Sequence, residues 1–448
     1  MEEKVVGPSA VRNRVSNPLA WPFYGVLLAP TLVLSAYGGT HVSPDQLYRP
    51  LVIVTLVAAV LWGVVGGVTR RPHAASFAVA LSLVTVIGDF VLWSILAIFW
   101  LVLTWRSVRR RQGWDITARL TRPLNMFVSA WFGVALVTAA VISMPAELPA
   151  SRAVAVEPGR NLYLILLDGY PRADSLMEYF DFDNAEFLDA LERRGFSVSA
   201  QSRGLDISTV QVLPTMMHMR PLGELLDEPW TGSNAQQRRM WQLLNAAPVP
   251  AAYEAAGYTT YSIVTPAPAV DWRTADVVLE SPWPTAFEAH LVTSGLLRFV
   301  LPMQAMERAS ILDAFAYLES AAGPSPRFVF AHIYSPHFPY IFAADGSPAA
   351  PCGEECRNHA GPPNPTLGDR LLGQLRFLNG RVLQALDHII EADPEGTIVV
   401  FSDHGLRRDW ADMDEWYRIL FAARGSEFPD DVTTVGLFSN LVQETGRR

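Results

Sequence analysis

The sequence predicts an α/β protein: a C-terminal domain on a mostly parallel sheet, preceded by an N-terminal helical membrane domain of about five spans. Three observations predict this. The chain has 448 residues, 50% of them hydrophobic, and the apolar excess lies before Met144 rather than along the whole length. From Asn161 onward, short apolar runs alternate with helical stretches, the pattern of strands joined by helical crossovers. Three of those runs lead directly into Asp or His. The implied division is residues 1–150 for the membrane helices and linker, and 156–448 for the soluble domain.

A membrane-crossing helix needs about 20 mostly apolar residues. Trp21 to Tyr37, Leu51 to Val68 and Met126 to Ser143 each supply one pass. Ala74 to Trp105 is too long for one ordinary span. It is also interrupted by Gly88-Asp89, and a carboxylate at mid-bilayer is costly. The arginines settle its reading. They cluster at Arg70-Arg71 and from Arg106 to Arg111, whereas the Thr40–Pro50 loop holds only Arg49. Basic clusters stay in the cytoplasm, so an even number of crossings separates these two. Ala74–Trp105 then becomes two short helices turning at Gly88-Asp89. Five spans follow, with the N-terminus inside and everything after Ser143 outside: a multi-pass protein of a bacterial inner membrane with an extracytoplasmic domain. The competing four-span reading places the second arginine cluster outside and the large domain in the cytoplasm. No small-residue cleavage site separates the N-terminal MEEKVVGPSAVRNRVSN from the first apolar run, which reads as an uncleaved anchor. Pro145 to Pro158 reads as the linker.

Charge and composition remove several function classes. A net charge of −9 leaves no basic footprint for nucleic acid. Lys4 is the only lysine, which excludes Schiff-base chemistry and lysine-dependent phosphate loops. The two cysteines, Cys352 and Cys356, lie in CGEEC, so a four-cysteine zinc site is impossible. A local disulfide is expected there, because the domain faces an oxidising compartment.

In the soluble half, LYLILL (Leu162–Leu167) is continuously apolar, as befits a strand buried on both faces. FVFA (Phe328–Ala331) and IVVF (Ile398–Phe401) look alike. Helices are expected over Asn184–Arg194, closed by Gly195, and over Leu371–Ile390. The first strand leads into Asp168-Gly169. The second leads into His332 and then Ser335-Pro336-His337, and the third into Ser402-Asp403-His404-Gly405. Ligands of open α/β sheets bind beyond the carboxyl ends of the strands. Each residue alone has an ordinary reading, Asp168 as a helix cap and a histidine as a packed side chain. Together they point to a shared metal site.

The runs NLYLILLDGYPRADSL, FVFAHIYSPHFPY and IVVFSDHG, in that order across residues 160–448, resemble the alkaline-phosphatase superfamily. Within it they look like the sulfatase-like proteins related to lipoteichoic acid synthases and phosphoethanolamine transferases, and SDHG after an apolar strand is the most specific match. The resemblance implies an alkaline-phosphatase-like domain in which Asp168, Asp403 and His404 bind one divalent metal. A hydroxyl nucleophile should share that metal, and Thr209, within SRGLDISTVQVLPTMMHM, falls where the family's threonine is expected. Ser208 is the nearest substitute. His337 matches a histidine that contacts substrate or leaving group, with His332 as a second candidate. The implied reaction moves a phosphoglycerol- or phosphoethanolamine-type head group from a membrane phospholipid to an envelope glycan or lipid acceptor. It would pass through a phosphothreonine intermediate.

The chemistry of the residues agrees with this. A hydroxyl is a poor nucleophile at neutral pH unless a metal or base activates it. If Thr209 opens a helix, the free N–H groups there help hold a phosphate; the alternative is that Thr209 or Ser208 only caps that helix. Pro214 is unexpected so soon after a helix start. No cysteine or serine stands in a C-x-P-x-R-like run for formylglycine, and no histidine follows His404. Sulfatase and two-metal phosphodiesterase chemistry are therefore the alternative enzyme readings. A non-catalytic relative that binds lipid or envelope polymer is the alternative class. The carboxylate-rich ligand set favours manganese, with magnesium and zinc also open.

Overall fold

The computed structural model describes residues 18–87, 113–144, 148, 154–265, 267, 270–323, 326–350, 365–408 and 411–444. The chain divides into two units. The first takes in Met1–Gly38, Leu47–Ile142 and Ser294–Leu297; the second takes in Gly39–Gln46, Ser143–Thr293 and Arg298–Arg448.

The first unit is helical over Tyr24–Gly38, Asp45–Thr69, Pro72–Ile87 and Gly113–Ile142. Asp45–Thr69 and Thr117–Ile142 are long and apolar enough to cross a membrane, while Tyr24–Gly38 and Pro72–Ile87 are apolar but shorter. The described residues thus show two full-length apolar helices and two short ones, against the five spans expected. Large apolar side chains such as Ile53, Val60, Val64 and Val137 are left exposed. Polar side chains within this unit are satisfied locally. Asn125 Oδ1 accepts from the Tyr24 N–H at 2.9 Å, and its amide donates to the Leu19 and Trp21 carbonyls at 3.0 and 2.7 Å. Such internal pairing is what a water-free surrounding demands. The Gly25 N–H donates to Ser76 Oγ at 2.9 Å, and a Cβ at Gly25 would fall 2.4 Å from the Ser76 carbonyl. The two helices approach as closely as small residues permit. The expected turn at Gly88-Asp89, the helix after it, and Cys352 and Cys356 lie outside the described residues.

The second unit is a mixed α/β fold. Its strands are β1 (Val154–Ala155), β2 (Leu162–Leu167), β3 (Ser197–Val198), β4 (Thr259–Val264), β5 (Val277–Glu280), β6 (Arg327–Ile333), β7 (Thr397–Phe401), β8 (Phe421–Arg424) and β9 (Gln443–Glu444). Seven of them form one sheet in the order β3-β8-β7-β2-β6-β4-β5. It is parallel from β7 through β5, with β8 and β3 added antiparallel. β1, in the segment expected to be linker, instead pairs antiparallel with β9.

β2 shows why its sequence is apolar at every position. Tyr163, Ile165 and Leu167 join one core, under the helices Met303–Ala321 and Pro365–Ala392. Leu162, Leu164 and Leu166 join the other, against Leu213, Met216 and Met217 of the helix Thr209–His218. Both faces are covered, so neither can be polar. The helix expected over Asn184–Arg194 spans Ala185–Glu192. Gly195, at φ +82°, closes it by donating its N–H to the Glu192 carbonyl at 2.8 Å. The second expected helix is longer than its apolar pattern, running from Pro365 to Ala392. Register then positions the site. Leu167 faces Ile333 in β6, and Leu166 faces both His332 in β6 and Phe401 in β7. Asp168 and Ser402-Asp403-His404 therefore leave the sheet at one level, side by side.

Candidate metal-assisted active site

The turn after β2 is held to the turn after β7 by main-chain bonds. The Gly169 N–H donates to Asp403 Oδ1 at 3.0 Å, and the Tyr170 N–H donates to Ser402 Oγ at 2.8 Å. Ser402 Oγ in turn donates to the His404 carbonyl at 2.9 Å. Two glycines make this approach possible. Gly169 sits at φ +70°, where a Cβ would also fall 3.0 Å from His404 Cε1. A Cβ on Gly405 would lie 2.2 Å from the Glu415 carbonyl oxygen.

Thr209 is the first residue of the helix Thr209–His218. Ser208 before it is extended and makes no side-chain capping bond, so the capping alternative for Ser208 is not realised. The helix continues through Pro214, whose missing N–H removes one intrahelical bond. Thr209 Oγ1 donates to Asp403 Oδ2 at 2.6 Å and stands 3.3 Å from Asp168 Oδ2. All three side chains are buried.

Three histidines surround the carboxylates. His404 Nδ1 donates to the Gly405 carbonyl at 2.9 Å. A carbonyl only accepts, so Nδ1 carries a proton, and in the neutral ring Nε2 holds the lone pair. That Nε2 lies 3.4 Å from Asp168 Oδ1 and 3.7 Å from Asp403 Oδ2. His337 is half-buried, donates Nδ1–H to the Phe338 carbonyl at 2.7 Å, and packs its ring on Tyr334 with centroids 4.7 Å apart. His332 is 1% exposed, and its Nε2 meets Asp168 Oδ2 at 3.0 Å. It is not among the residues that line the cavity beside this cluster, and its contact here is with Asp168.

The electrostatics ask for a cation. Burial alone would raise the Asp168 pKa, but His337, His332 and His404 together hold it well below the usual carboxylate range. Burial works against charge on His404, and the carboxylates of Asp403 and Asp168 overcome it and raise its pKa. Burial dominates at His337 and lowers its pKa, against the pull of Asp168. Three buried atoms of the cluster are left without hydrogen bonds, His332 Nδ1, Asp168 Oδ1 and His404 Nε2. The last two face one another. A divalent ion at about 2.1 Å from each ligand atom places tetrahedral ligands about 3.4 Å apart, the spacing seen here. One ligand atom each from Asp168, His337 and His404 lies within 4.8 Å of the others. The residues present therefore fit a divalent metal.

Beside this cluster opens a cavity of about 210 Å³, lined by His337, Phe338, Tyr340, His404, Arg407 and Arg408 among others. Of the residues named from sequence, Asp168, Thr209, Asp403 and His404 converge directly, His337 borders the cavity and His332 supports Asp168. Tyr334, Arg407 and Arg408 were missed. The only sequence signal for the arginines is their position straight after SDHG.

No family model and no curated protein matches the chain. Among solved structures it is similar to the C-terminal periplasmic domain of EptC from Escherichia coli in complex with zinc. The identity is 15% and the TM-score 0.42, over 67% of this chain and 88% of that one. It is similar to the integral membrane protein lipooligosaccharide phosphoethanolamine transferase A from Neisseria meningitidis, at 12% identity and TM-score 0.41, over 94% of this chain and 80% of that one. It is also similar to the lipoteichoic acid synthase LtaP from Listeria monocytogenes, at 14% identity and TM-score 0.41, over 65% and 76%.

Proposed function

We propose that this protein is a membrane-anchored phosphotransferase or hydrolase that takes a phosphorylated head group from a membrane lipid through a covalent adduct on Thr209. The observation that carries this reading is the convergence of Thr209 Oγ1 on Asp403 and Asp168, within the cluster that leaves Asp168 Oδ1 and His404 Nε2 unsatisfied. A binding module has no need of a hydroxyl held against the metal ligands.

Asp168, Asp403 and His404 would hold one divalent ion, manganese by the character of the set, with Thr209 sharing it. Such an ion lowers the pKa of a bound hydroxyl and offsets charge on phosphoryl oxygens. The protein does the rest. Asp403 orients the Thr209 hydroxyl. The Thr209 oxygen bonds to phosphorus as its proton passes to Asp403, the carboxylate to which it already donates; the bond from phosphorus to the diacylglycerol oxygen breaks, and diacylglycerol leaves with a proton. His337, with Nε2 unprotonated in this tautomer, would first need a proton to supply it; burial opposes that charge, and the neighbouring Asp168 carboxylate only partly offsets the opposition. An acceptor hydroxyl on an envelope glycan or lipid, or water, then displaces Thr209. His332 holds Asp168 in place.

The membrane half keeps the domain beside its lipid donor. The five-span reading gains support from the second unit, which includes Gly39–Gln46. Gln46 Nε2 donates to Asp271 at 2.8 Å, and its Oε1 accepts from the Phe287 N–H at 3.0 Å. A loop built into the soluble unit lies on that unit's side of the bilayer. The crossings between Gln46 and Ser143 must then be even in number, which five spans satisfy and four do not. With the arginine clusters inside, that side is extracytoplasmic.

The test is incubation of the full chain with labelled phosphatidylglycerol and phosphatidylethanolamine plus manganese, followed by intact-mass analysis. The expected results are released diacylglycerol and a head-group adduct on Thr209. Turnover of an aryl sulfate but of neither lipid would favour the sulfatase reading. Lipid binding without any turnover would favour the non-catalytic one.

A further inference from the structure

Ser294–Leu297 groups with the apolar helices of the first unit, although Thr293 before it and Arg298 after it belong to the second. Gly295 makes this possible. A Cβ there would fall 1.9 Å from the Val86 carbonyl oxygen, so its backbone lies directly on the last turn of the helix Pro72–Ile87. A 3-10 turn over Leu296–Phe299 follows, and the run Leu296–Leu301 reads LLRFVL, apolar at every position but one. Phe299 is 67% exposed and Val300 77%, more than Val60 at 62% on the membrane helix Asp45–Thr69. Arg298 is the only Asp, Glu, Lys or Arg between Glu288 and Glu307, and its guanidinium lies 4.8 Å from the centre of the Phe299 ring. No carboxylate in this stretch opposes an anionic surface.

Depth decides what covers these side chains. Arg70-Arg71 mark the inner face of the bilayer, and the helix Pro72–Ile87 starts there. From Pro72 to Val86 the rise is about 21 Å, whereas the hydrocarbon core is about 30 Å thick. Tilt would only shorten that rise. The contact of Gly295 with Val86 therefore lies below the outer edge of the core, and the apolar run starts from within it. A soluble partner cannot reach a segment at that depth, and lipid can. Exposed apolar groups beside one arginine, whose stem can lie among acyl chains while its head stays at the surface, suit that position.

We propose that Leu296–Leu301 is inserted into the extracytoplasmic leaflet of the bilayer, with Phe299 and Val300 among the acyl chains. The C-terminal half then has a lipid contact of its own, besides its covalent link to the membrane helices. This rests on reading the first unit as membrane-spanning and owes nothing to the metal cluster. The helix Met303–Ala321 begins two residues further on, and the charge of its Glu307 acts on the hydroxyl of Tyr334, the residue stacked on His337. One helix thus joins the inserted turn to the neighbourhood of the candidate site.

The experiment is photo-cross-linking in a bilayer. The full chain, carrying benzoylphenylalanine in place of Phe299 or Val300, is reconstituted into nanodiscs of phosphatidylglycerol and phosphatidylethanolamine and irradiated. Mass analysis then identifies what is attached. Met413, an exposed residue of the second unit, is the control position. Lipid joined through an acyl chain is expected at 299 and 300, at about tenfold or more the yield at 413. Val300→Asp with the probe at 299 should cut that yield by about tenfold, because a carboxylate is costly among acyl chains. It should leave the melting temperature in detergent near wild type, since Val300 is exposed. Yields at 299 and 300 no higher than at 413 overturn the insertion, as does an unchanged yield in Val300→Asp. A cross-link to a second copy in place of lipid assigns the patch to self-association and overturns it as well. Lipid adducts at 299 and 300 in a protein that turns over no lipid would leave the insertion standing and remove the proposed function. A Thr209 adduct without them would do the reverse.

Discussion

Thr209 donates its hydroxyl hydrogen to Asp403 across 2.6 Å, joining the first residue of a helix to the turn after β7, 194 residues further along the chain. That contact separates Thr209 from Ser208, whose side chain bonds nothing at the helix start. Thr209→Ala should therefore lower kcat by about a thousandfold or more, because it removes a covalent step. Ser208→Ala should stay within a few-fold of wild type. Steady-state release of diacylglycerol measures both. Equal turnover by wild type and Thr209→Ala would remove Thr209 from the reaction.

The two histidines on Asp168 should behave differently toward metal. Elemental analysis of the purified protein should find about one divalent ion per chain, and His404→Ala should lose it. His332→Ala removes only the support behind Asp168, and should weaken metal affinity by about 10- to 100-fold without changing the saturating stoichiometry. Two ions per chain would point to two-metal chemistry. Full retention by His404→Ala would take that imidazole out of the ligand set.

Stability should carry a pH dependence from Glu307, whose charge acts on the hydroxyl of Tyr334. Burial lifts the Glu307 carboxyl, on the helix Met303–Ala321, from an ordinary 4.5 to about 7. Its folded pKa lies above its unfolded one, so its contribution is complete below about 4.5 and declines as pH rises through about 7. Glu307→Gln cannot ionise. It should raise the melting temperature at pH 8.5 more than at pH 5, and a uniform shift at both would assign the effect to packing.

Topology is testable directly. A periplasm-active reporter fused after Ser151 should be active and one fused after Arg111 inactive. The reverse pattern would put the sheet in the cytoplasm, where no envelope acceptor can reach it.

How legible the molecule was depended on how each segment is buried. β2, β6 and β7 could be read because helices cover both their faces and force unbroken apolar runs. β4, TTYSIV, could not. Thr260 and Ser262 are buried there as polar residues, and Thr260 is accommodated by bonds to Asp276 at 2.8 and 3.0 Å. The Asp and His residues at strand ends were visible as a group because register brings strand ends together. Thr209 was visible only through a resemblance, since nothing in the local run distinguishes a nucleophile from a cap. The contact of His332 with Asp168 was not legible, because sequence does not show which way a residue at the end of a strand points. Arg407 and Arg408 escaped notice because the cavity they line is made by segments far apart in the chain.

The glycines after Asp168 and His404 carry a consequence for anyone comparing variants of this chain. At Gly405 even alanine would collide with main-chain oxygen, and at Gly169 it would press on the His404 ring from a backbone conformation that alanine rarely adopts. A single nucleotide change at either codon could therefore silence the protein while every acid, imidazole and hydroxyl of the cluster is still spelled out in the gene. Inspection of the reactive residues alone would score such an allele as intact.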